Sequence, residues 1–391
     1  MLLSERETLD RVQQSVGAPS VENISIWEAG KRVLAQDVVA TVALPRFDNS
    51  TMDGYAVRAE DAVSGARLLV CGEQAAGPDL ALSVKRGEAV RIYTGAPIPR
   101  YADAVIMQED VDADKKSILI REGVTGGENI RARGGDLCKG QKIASKGTLL
   151  TGPRLAAIAS QGMSELSVFK RPCVAIIATG TELRSQGESL LSGEIYETNR
   201  ILLAELVAGS GAEGAVFDIV PDLEEAHLES FQRARYYDAI VVAGGVSVGT
   251  KDLVKPTLQK LGAKLELWRV AVKPGKPFMF GRLENTLVFG LPGNPVSAFV
   301  TFLLFARPAL WKLGGRSSLE LPRARARLEQ ELVNRGDRPH YFRGVYHEGT
   351  FKPVGRQESH ALFALSQANA LCRLEPDQTL AANSFADVIP F

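Results

Sequence analysis

The stretch that most constrains this chain runs from Ala243 to Asp252 and reads Ala-Gly-Gly-Val-Ser-Val-Gly-Thr-Lys-Asp. An apolar run, Asp238-Ala-Ile-Val-Val-Ala243, enters it, and a helical pattern begins at Leu253. The backbone must therefore turn sharply at the carboxyl end of a buried strand, which is where open α/β sheets bind ligands. Gly244, Gly245 and Gly249 let main-chain N–H groups approach an anion, and the helix start adds a favourable dipole. Gly244 and Gly249 have the spacing of a Walker A loop, but Thr250-Lys251-Asp252 stands where that motif needs Lys and then Ser or Thr. An ordinary P-loop is excluded. On this loop alone, an anion site and a ligand-free tight turn are equally good readings.

Three more stretches shift the balance. Ile176-Ile-Ala-Thr-Gly-Thr-Glu-Leu183 is a second buried strand running into a Gly-containing turn that ends on a carboxylate, Glu182. Lys273-Pro-Gly-Lys-Pro277 and Gly290-Leu-Pro-Gly-Asn-Pro-Val-Ser297 flank a strand pair, Phe278 to Phe280 and Thr286 to Phe289. Asn294 is a candidate N-cap and Pro295 a candidate first helical residue, which makes a second anion-receptive helix start. The four loops together carry glycines, Lys251, Lys273 and Lys276, and the acids Glu182 and Asp252. A loop set without a ligand seldom needs that combination.

A chain of 391 residues predicts two to four domains at about 150 residues each. Its 46 basic residues balance 46 acidic ones, so net charge argues for neither nucleic acid nor an anionic membrane, and any anion site must be local. Cys71, Cys138, Cys173 and Cys372 have no paired spacing, and Met1-Leu-Leu-Ser-Glu-Arg is no secretory leader, which predicts reduced thiols in the cytoplasm. His227, His340, His347 and His360 form no zinc motif. The longest apolar run, Val296 to Ala306, is shorter than the roughly 18 to 20 residues of a membrane span and reads as a buried core helix.

Taken in order, Leu2 to Val16 predicts an amphipathic helix through Leu9, Val12 and Val16. Ser25 to Leu34 predicts another, capped by Ser25 and carrying Trp27, Ala29 and Val33, and Val38 to Leu44 predicts a strand. Pro45 to Val57 gathers Asp48, Asn49, Ser50 and Asp53 in a turn relieved by Gly54. From there to about Asp136, short runs at Arg67 to Cys71, Ala89 to Tyr93, Ala104 to Gln108 and Ser117 to Arg121 describe a small β domain. Within it, Thr94 and Gly95 fall at a strand end, and Asn129 to Leu137 is a basic-to-acidic loop ending near Asp136. Asp110, Asp112 and Asp114 imitate an EF-hand, but Lys115 and Arg121 occupy its glycine and glutamate positions, so a solvated hairpin turn is expected. Thr151 to Gly162 is a helix, which with Leu166 to Phe169 completes the first domain and leaves the β domain as an insertion.

After Arg171-Pro172, strands at Cys173 to Ala178, Ala215 to Val220 and Asp238 to Ala243 alternate with helices at Asn199 to Ala208 and Asp222 to Ala234. Alternation at this period predicts parallel strands in a doubly wound sheet. Leu223, Ala226, Leu228 and Phe231 describe the buried face of the second helix. Beyond Ser317, runs at Arg323 to Leu332, Tyr341 to Tyr346, Leu371 to Leu374 and Ala386 to Ile389 predict a C-terminal β domain. The fold class is α/β plus β. The expected domains are 1–45 with 138–170, an insertion at 46–137, an α/β domain at 171–315 and a β domain at 316–391.

Read jointly, these motifs resemble the molybdopterin molybdenumtransferase (MoeA) family, similar to the C-terminal domain of gephyrin. The likeness is carried by Phe47 to Val57, Thr94-Gly-Ala-Pro97, Arg131 to Asp136, Thr179-Gly-Thr-Glu-Leu183, Thr198-Asn-Arg200, Gly244-Gly-Val-Ser-Val-Gly249 with Asp252, Lys273 to Pro277 and Leu291 to Ser297. It implies an elongated, multidomain chain with a MogA-like α/β domain. It also implies transfer of molybdenum from molybdate to adenylylated molybdopterin with AMP released, a divalent cation such as Mg2+, and a homodimer whose site lies between subunits. Carried over, the catalytic positions are Asp53, Thr94, Asp136, Glu182 and Asp252, with Glu182 and Asp252 as candidate Mg2+ ligands. Substrate would meet Gly244, Gly245, Ser247, Gly249, Lys273, Lys276, Pro292, Asn294, Pro295 and Asp222. Thr181 stands where the family leads one to expect an acid or amide, and Asp222 could equally be a helix N-cap.

The residue types suit that chemistry. A pyrophosphate-linked pterin needs N–H donors and lysines, and cleaving the adenylate linkage needs no covalent nucleophile if acids hold a cation. Molybdopterin adenylyltransferase, a possible partner, resembles the α/β domain alone, and the acid-bearing insertion argues against that activity here. A carrier or scaffold would need the glycines and lysines but not Asp53, Asp136, Glu182 and Asp252 together. A sugar- or nucleotide-binding enzyme has only the fold class in its favour.

Overall fold

The computed structural model describes residues 2–246 and 252–391. The chain divides into two compact units: one of Met1–Gln36, Lys146–Leu150 and Leu166–Phe391, the other of Asp37–Ser145 with Thr151–Glu165.

In the larger unit, a six-stranded sheet has the order Glu213–Val216, Cys173–Ala178, Ala239–Ala243, Thr286–Leu291, Pro277–Leu283, Lys264–Arg269. The first four strands run parallel and the last two join antiparallel. The doubly wound expectation therefore holds for the helix-connected half. The 277–283 and 286–291 strands are linked by a two-residue turn at Glu284-Asn285, and so short a link imposes a hairpin. Cys173–Ala178 and Ala239–Ala243 are almost continuously apolar, because helices cover both faces.

One face packs on the helix Pro295–Leu313, whose phenylalanines 299, 302 and 305 join Val174, Val241 and Phe289 in one core. Burial of each such side chain contributes about 1.5–3 kcal/mol. This helix is long and apolar enough to cross a membrane by length and composition, but 83% of it is buried in the chain's own core. It runs on through Arg307-Pro308 by way of a π-helical turn at Phe302–Ala306. The wider turn accommodates a proline that brings no N–H and crowds the preceding carbonyls. The other face packs on Glu224–Ala234 and Val254–Lys260. The N-terminal helix Glu5–Ser15, capped by the Ser4–Glu7 box, adds Val12 to the core, and Val16 just beyond its end joins it. Residues 324–390 close a five-stranded barrel of Ala324–Leu328, Thr350–Pro353, His340–His347, Ala370–Leu374 and Phe385–Pro390.

The smaller unit carries the short strands expected from the turn spacing, in the sheet order Ala104–Met107, Gly54–Val57, Glu88–Ile92, Arg67–Gln74, Ser117–Ile120, Val111–Ala113. Asp114 accepts bonds from Lys116 N–H, Ser117 N–H and Ser117 Oγ, all at 2.8 Å, so it closes a hairpin as expected. Those donors, the Lys116 amide first, hold its carboxyl at a pKa of about 2.

Several local expectations need correction. Ser25 to Leu34 is not a helix: Ser25 caps only a single turn, Ile26–Glu28, and Val33–Leu34 is a strand paired with Val168-Phe169. Trp27, expected on the buried face, is 94% exposed. Val38 to Leu44 shrinks to Val38–Val39. The second α/β helix begins at Glu224 and buries His227, Ser230, Phe231 and Ala234, while Leu223 lies outside and exposed. Leu223 precedes the first helical residue and so does not belong to the face. Phe231 is buried as expected and Ala226 packs against the same core, while His227, Ser230 and Ala234 complete the buried face in place of Leu223.

Candidate active site

Three strand ends bring the sequence-marked loops of the larger unit together. Thr179 N–H donates to Ala243 O at 3.0 Å, Gly244 N–H to Leu291 O at 3.1 Å and Gly180 N–H to Val220 O at 3.0 Å. The glycine pair is obligatory. Gly244 has φ +94° and a Cβ there would lie 2.5 Å from Thr179 O; Gly245 has φ +61° and a Cβ would meet Val254 Cγ2 at 2.7 Å. Only bare backbone fits, which lets an anion approach the main chain closely, although the Gly244 N–H itself is engaged by Leu291 O. Ser247, Gly249 and Lys251 lie outside the described residues. Asp252 is half-buried just before the helix Val254–Lys260.

The acids of this unit follow from the same turn. Thr181 donates from N–H and Oγ1 to Asp222 Oδ2, both at 3.2 Å, and Asp222 N–H returns a bond to Thr181 Oγ1 at 3.0 Å. Thr181, unexpected at that position, is thus the partner of Asp222. Asp222 is no N-cap, since the helix after it is entered from Leu223. Glu182 folds its exposed carboxylate over Gly180, where a Cβ would stand 2.7 Å from Oε2. Glu182 and Asp222 therefore flank one threonine.

Lys273 and Lys276 are exposed on the loop before the Pro277–Leu283 strand. The Lys273 backbone is tied to the barrel, accepting from Tyr341 N–H at 2.8 Å and donating to Pro339 O at 2.8 Å. Pro292 is buried and Pro295 is the first helical residue, as expected. Asn294 holds the N-cap position without capping: its Nδ2 donates instead to Ser359 Oγ at 3.0 Å.

Sequence reasoning missed Arg343. It is fully buried, donates through Nη2 to the Arg356 and Glu358 carbonyls, and keeps Nε and Nη1 without a hydrogen-bond partner among the described residues. Burial pushes its pKa down. His340, 5% exposed, is pushed down to about 4 by burial first and then by Lys273, Arg343 and Arg338. A buried strand position such as Phe-Arg-Gly gave no warning of a charge. Asn199, whose Nδ2 donates to Gly293 O at 2.8 Å, was marked only as part of a motif.

The smaller unit gathers the other acids. Asp53 Oδ1 accepts from both Thr94 N–H and Thr94 Oγ1 at 2.8 Å. Those two bonds, and more weakly Arg91, hold its carboxyl below the usual range. Gly54 is forced, since a Cβ would lie 1.9 Å from Ile106 O. Asn49-Ser50 pairs with Ile130-Arg131, Gly95 N–H donates to Ser50 O at 2.8 Å and Arg133 N–H to Asp48 Oδ1 at 2.6 Å. The loops bearing Asp53, Thr94 and Asp136 thus converge, with the Asp136 side chain exposed.

Carboxylate and hydroxyl oxygens are hard donors that suit Mg2+. No group of three metal-ligating side chains occurs among the described residues. The fit is to Mg2+ held by one or two carboxylates plus substrate phosphates, not to a protein cage.

Comparison with known proteins agrees across the chain. Residues 3–162 match the MoeA N-terminal region (domain I and II), 175–312 a probable molybdopterin binding domain and 325–391 the MoeA C-terminal region (domain IV). A molybdopterin molybdenumtransferase from Haemophilus influenzae is 36% identical over 100% of this chain and 99% of its own. Gephyrin from Dictyostelium discoideum is 32% identical over 90% of this chain and 56% of its own. The crystal structure of a molybdopterin biosynthesis MoeA protein from Pyrococcus horikoshii superposes with a TM-score of 0.88 at 29% identity, covering 100% of both chains. With all three regions matched in order and a full-length relative above 30% identity, the chain belongs to the MoeA family of molybdopterin molybdenumtransferases.

Proposed function

We propose that this chain transfers molybdenum from molybdate to adenylylated molybdopterin and releases AMP. The observation that carries the reading is the convergence of three strand-end loops on a glycine pair with no room for side chains, flanked by Glu182 and Asp222. Backbone N–H groups and the exposed Lys273 and Lys276 are suited to the pyrophosphate of the substrate. Arg343 Nε and Nη1, without a hydrogen-bond partner among the described residues, are donors of the kind a tetrahedral oxyanion such as molybdate accepts from. Mg2+, held by Glu182 and Asp252, would offset phosphate charge and polarise the bond to be cleaved. Asp53, kept ionised by Thr94, orients an incoming water or substrate hydroxyl through a carboxylate that stays an acceptor at neutral pH. Asp136 shares that task.

The resemblance supports a homodimer in which the acids of the smaller unit of one copy serve the α/β domain of its partner. It also supports receipt of substrate from a molybdopterin adenylyltransferase in the cytoplasm. The test is anaerobic incubation with adenylylated molybdopterin, molybdate and magnesium. AMP release that requires molybdate, together with activation of a molybdenum-free reporter enzyme, is the expected result. Tight pterin binding without AMP would make the chain a carrier.

A further inference from the structure

We propose that Asn199 is a positioning residue for this reaction: its amide fixes the Gly293 carbonyl, and with it the loop entering Pro295, against the glycine pair Gly244-Gly245. The inference rests on the function proposed above and adds a residue to the same site.

Asn199 opens the helix Asn199–Gly209 and is 8% exposed. Its Nδ2 donates to Gly293 O at 2.8 Å, and because a carbonyl only accepts, this bond fixes the amide orientation. Oδ1 is then left as a buried acceptor with no partner among the described residues. Helix formation does not explain that arrangement, since asparagine has no helical advantage at such a position and an aliphatic side chain would leave no unpaired polar atom. The amide is held there by what it does to Gly293. A Cβ on Gly293 would stand 3.7 Å from Gly244 Cα, so the two glycines lie side by side, and the Gly244 N–H bond to Leu291 O ties the same loop to the glycine pair. On its far side the same loop is anchored by Asn294 Nδ2 to Ser359 Oγ at 3.0 Å and Val296 N–H to Ser359 O at 3.3 Å.

The turn presenting Asn199 is itself braced. Glu197, 1% exposed, accepts from Arg200 N–H and Nε, both at 2.9 Å, and Arg200 Nη1 donates to Phe217 O at 2.8 Å. A tether from a rigid turn transmits position rather than absorbing it.

The test compares Asn199→Ala with Asn199→Asp, which keeps the shape and loses the donor. In both, KM for adenylylated molybdopterin rises about tenfold while kcat moves less than about threefold. Asn199→Ser, with a hydroxyl donor, recovers part of the loss. KM does not depend on the fraction of enzyme that is folded, so a poorly folding variant still reports. Amide exchange over 291–296 is expected to quicken about tenfold in both variants, with 173–178 unchanged. Wild-type KM in both variants with only a lowered melting temperature, or unchanged exchange over 291–296, overturns the inference. Absence of molybdate-dependent AMP release in the wild type sinks the proposed function instead, and the exchange measurement still decides the tether.

Discussion

Two threonine–aspartate clamps, one in each unit, look alike and do different things. In the smaller unit, Thr94 gives both its N–H and its hydroxyl to Asp53 at 2.8 Å and receives nothing back from the acid. In the larger unit, Thr181 makes the same two approaches to Asp222 at 3.2 Å, and Asp222 returns its own N–H at 3.0 Å. The first clamp serves a carboxylate, keeping it charged and aimed. The second serves the backbone, locking the turn after Ala178 to the segment after Val220. Side chains therefore fix the acid of the smaller unit, while in the larger unit they hold main chain in place.

The largest effect should come from the backbone-built site. Gly244→Ala forces a Cβ against the Thr179 carbonyl at a positive φ, and molybdate-dependent AMP release should fall at least about 100-fold. If it survives, the larger unit is more yielding than its packing indicates. Next comes the contrast between the clamps. Thr94→Val should lower activity about tenfold and move the acid limb of the pH–rate profile upward, because the hydroxyl that helps depress Asp53 is gone while the backbone N–H remains. Thr181→Val should cost only about threefold and leave the acid limb in place. Equal shifts in both variants would erase the distinction between them.

A smaller effect concerns stability. His340 titrates near 6.5 when unfolded and at about 4 when folded, so the unfolded chain binds the proton over that interval. Its contribution is fully present above pH 6.5 and fades as pH falls towards 4, by roughly 3 kcal/mol in all. His340→Gln should flatten unfolding stability across that window, as measured by denaturant titration at several pH values. The smallest effect is expected at Trp27, where Trp27→Ser should leave the unfolding free energy within about 0.5 kcal/mol because the ring contributes nothing to the core of this chain.

The strands and most helices were legible because burial on both faces of the sheet writes unbroken apolar runs, as at Cys173–Ala178. Glycines 244 and 245 were legible for a related reason, since a turn that tolerates no Cβ leaves only one residue type. Ser25 to Leu34 was misread because Ser25 and the spacing of Trp27, Ala29 and Val33 fit a helix locally, while pairing with Val168-Phe169 decided the outcome from far along the chain. Arg343 and the Thr181–Asp222 clamp were hidden for the same reason. Their partners lie on other segments, and a single sequence does not print long-range contacts.

The most direct test of the account asks whether the acids of the two units serve one reaction across a homodimer. Asp53→Asn and Glu182→Gln should each be inactive alone. Mixed and reassociated, the two variants should recover about a quarter of wild-type AMP release, since half the dimers are mixed and each holds one intact site. No recovery, with mixed dimers shown to form, would contradict the shared site.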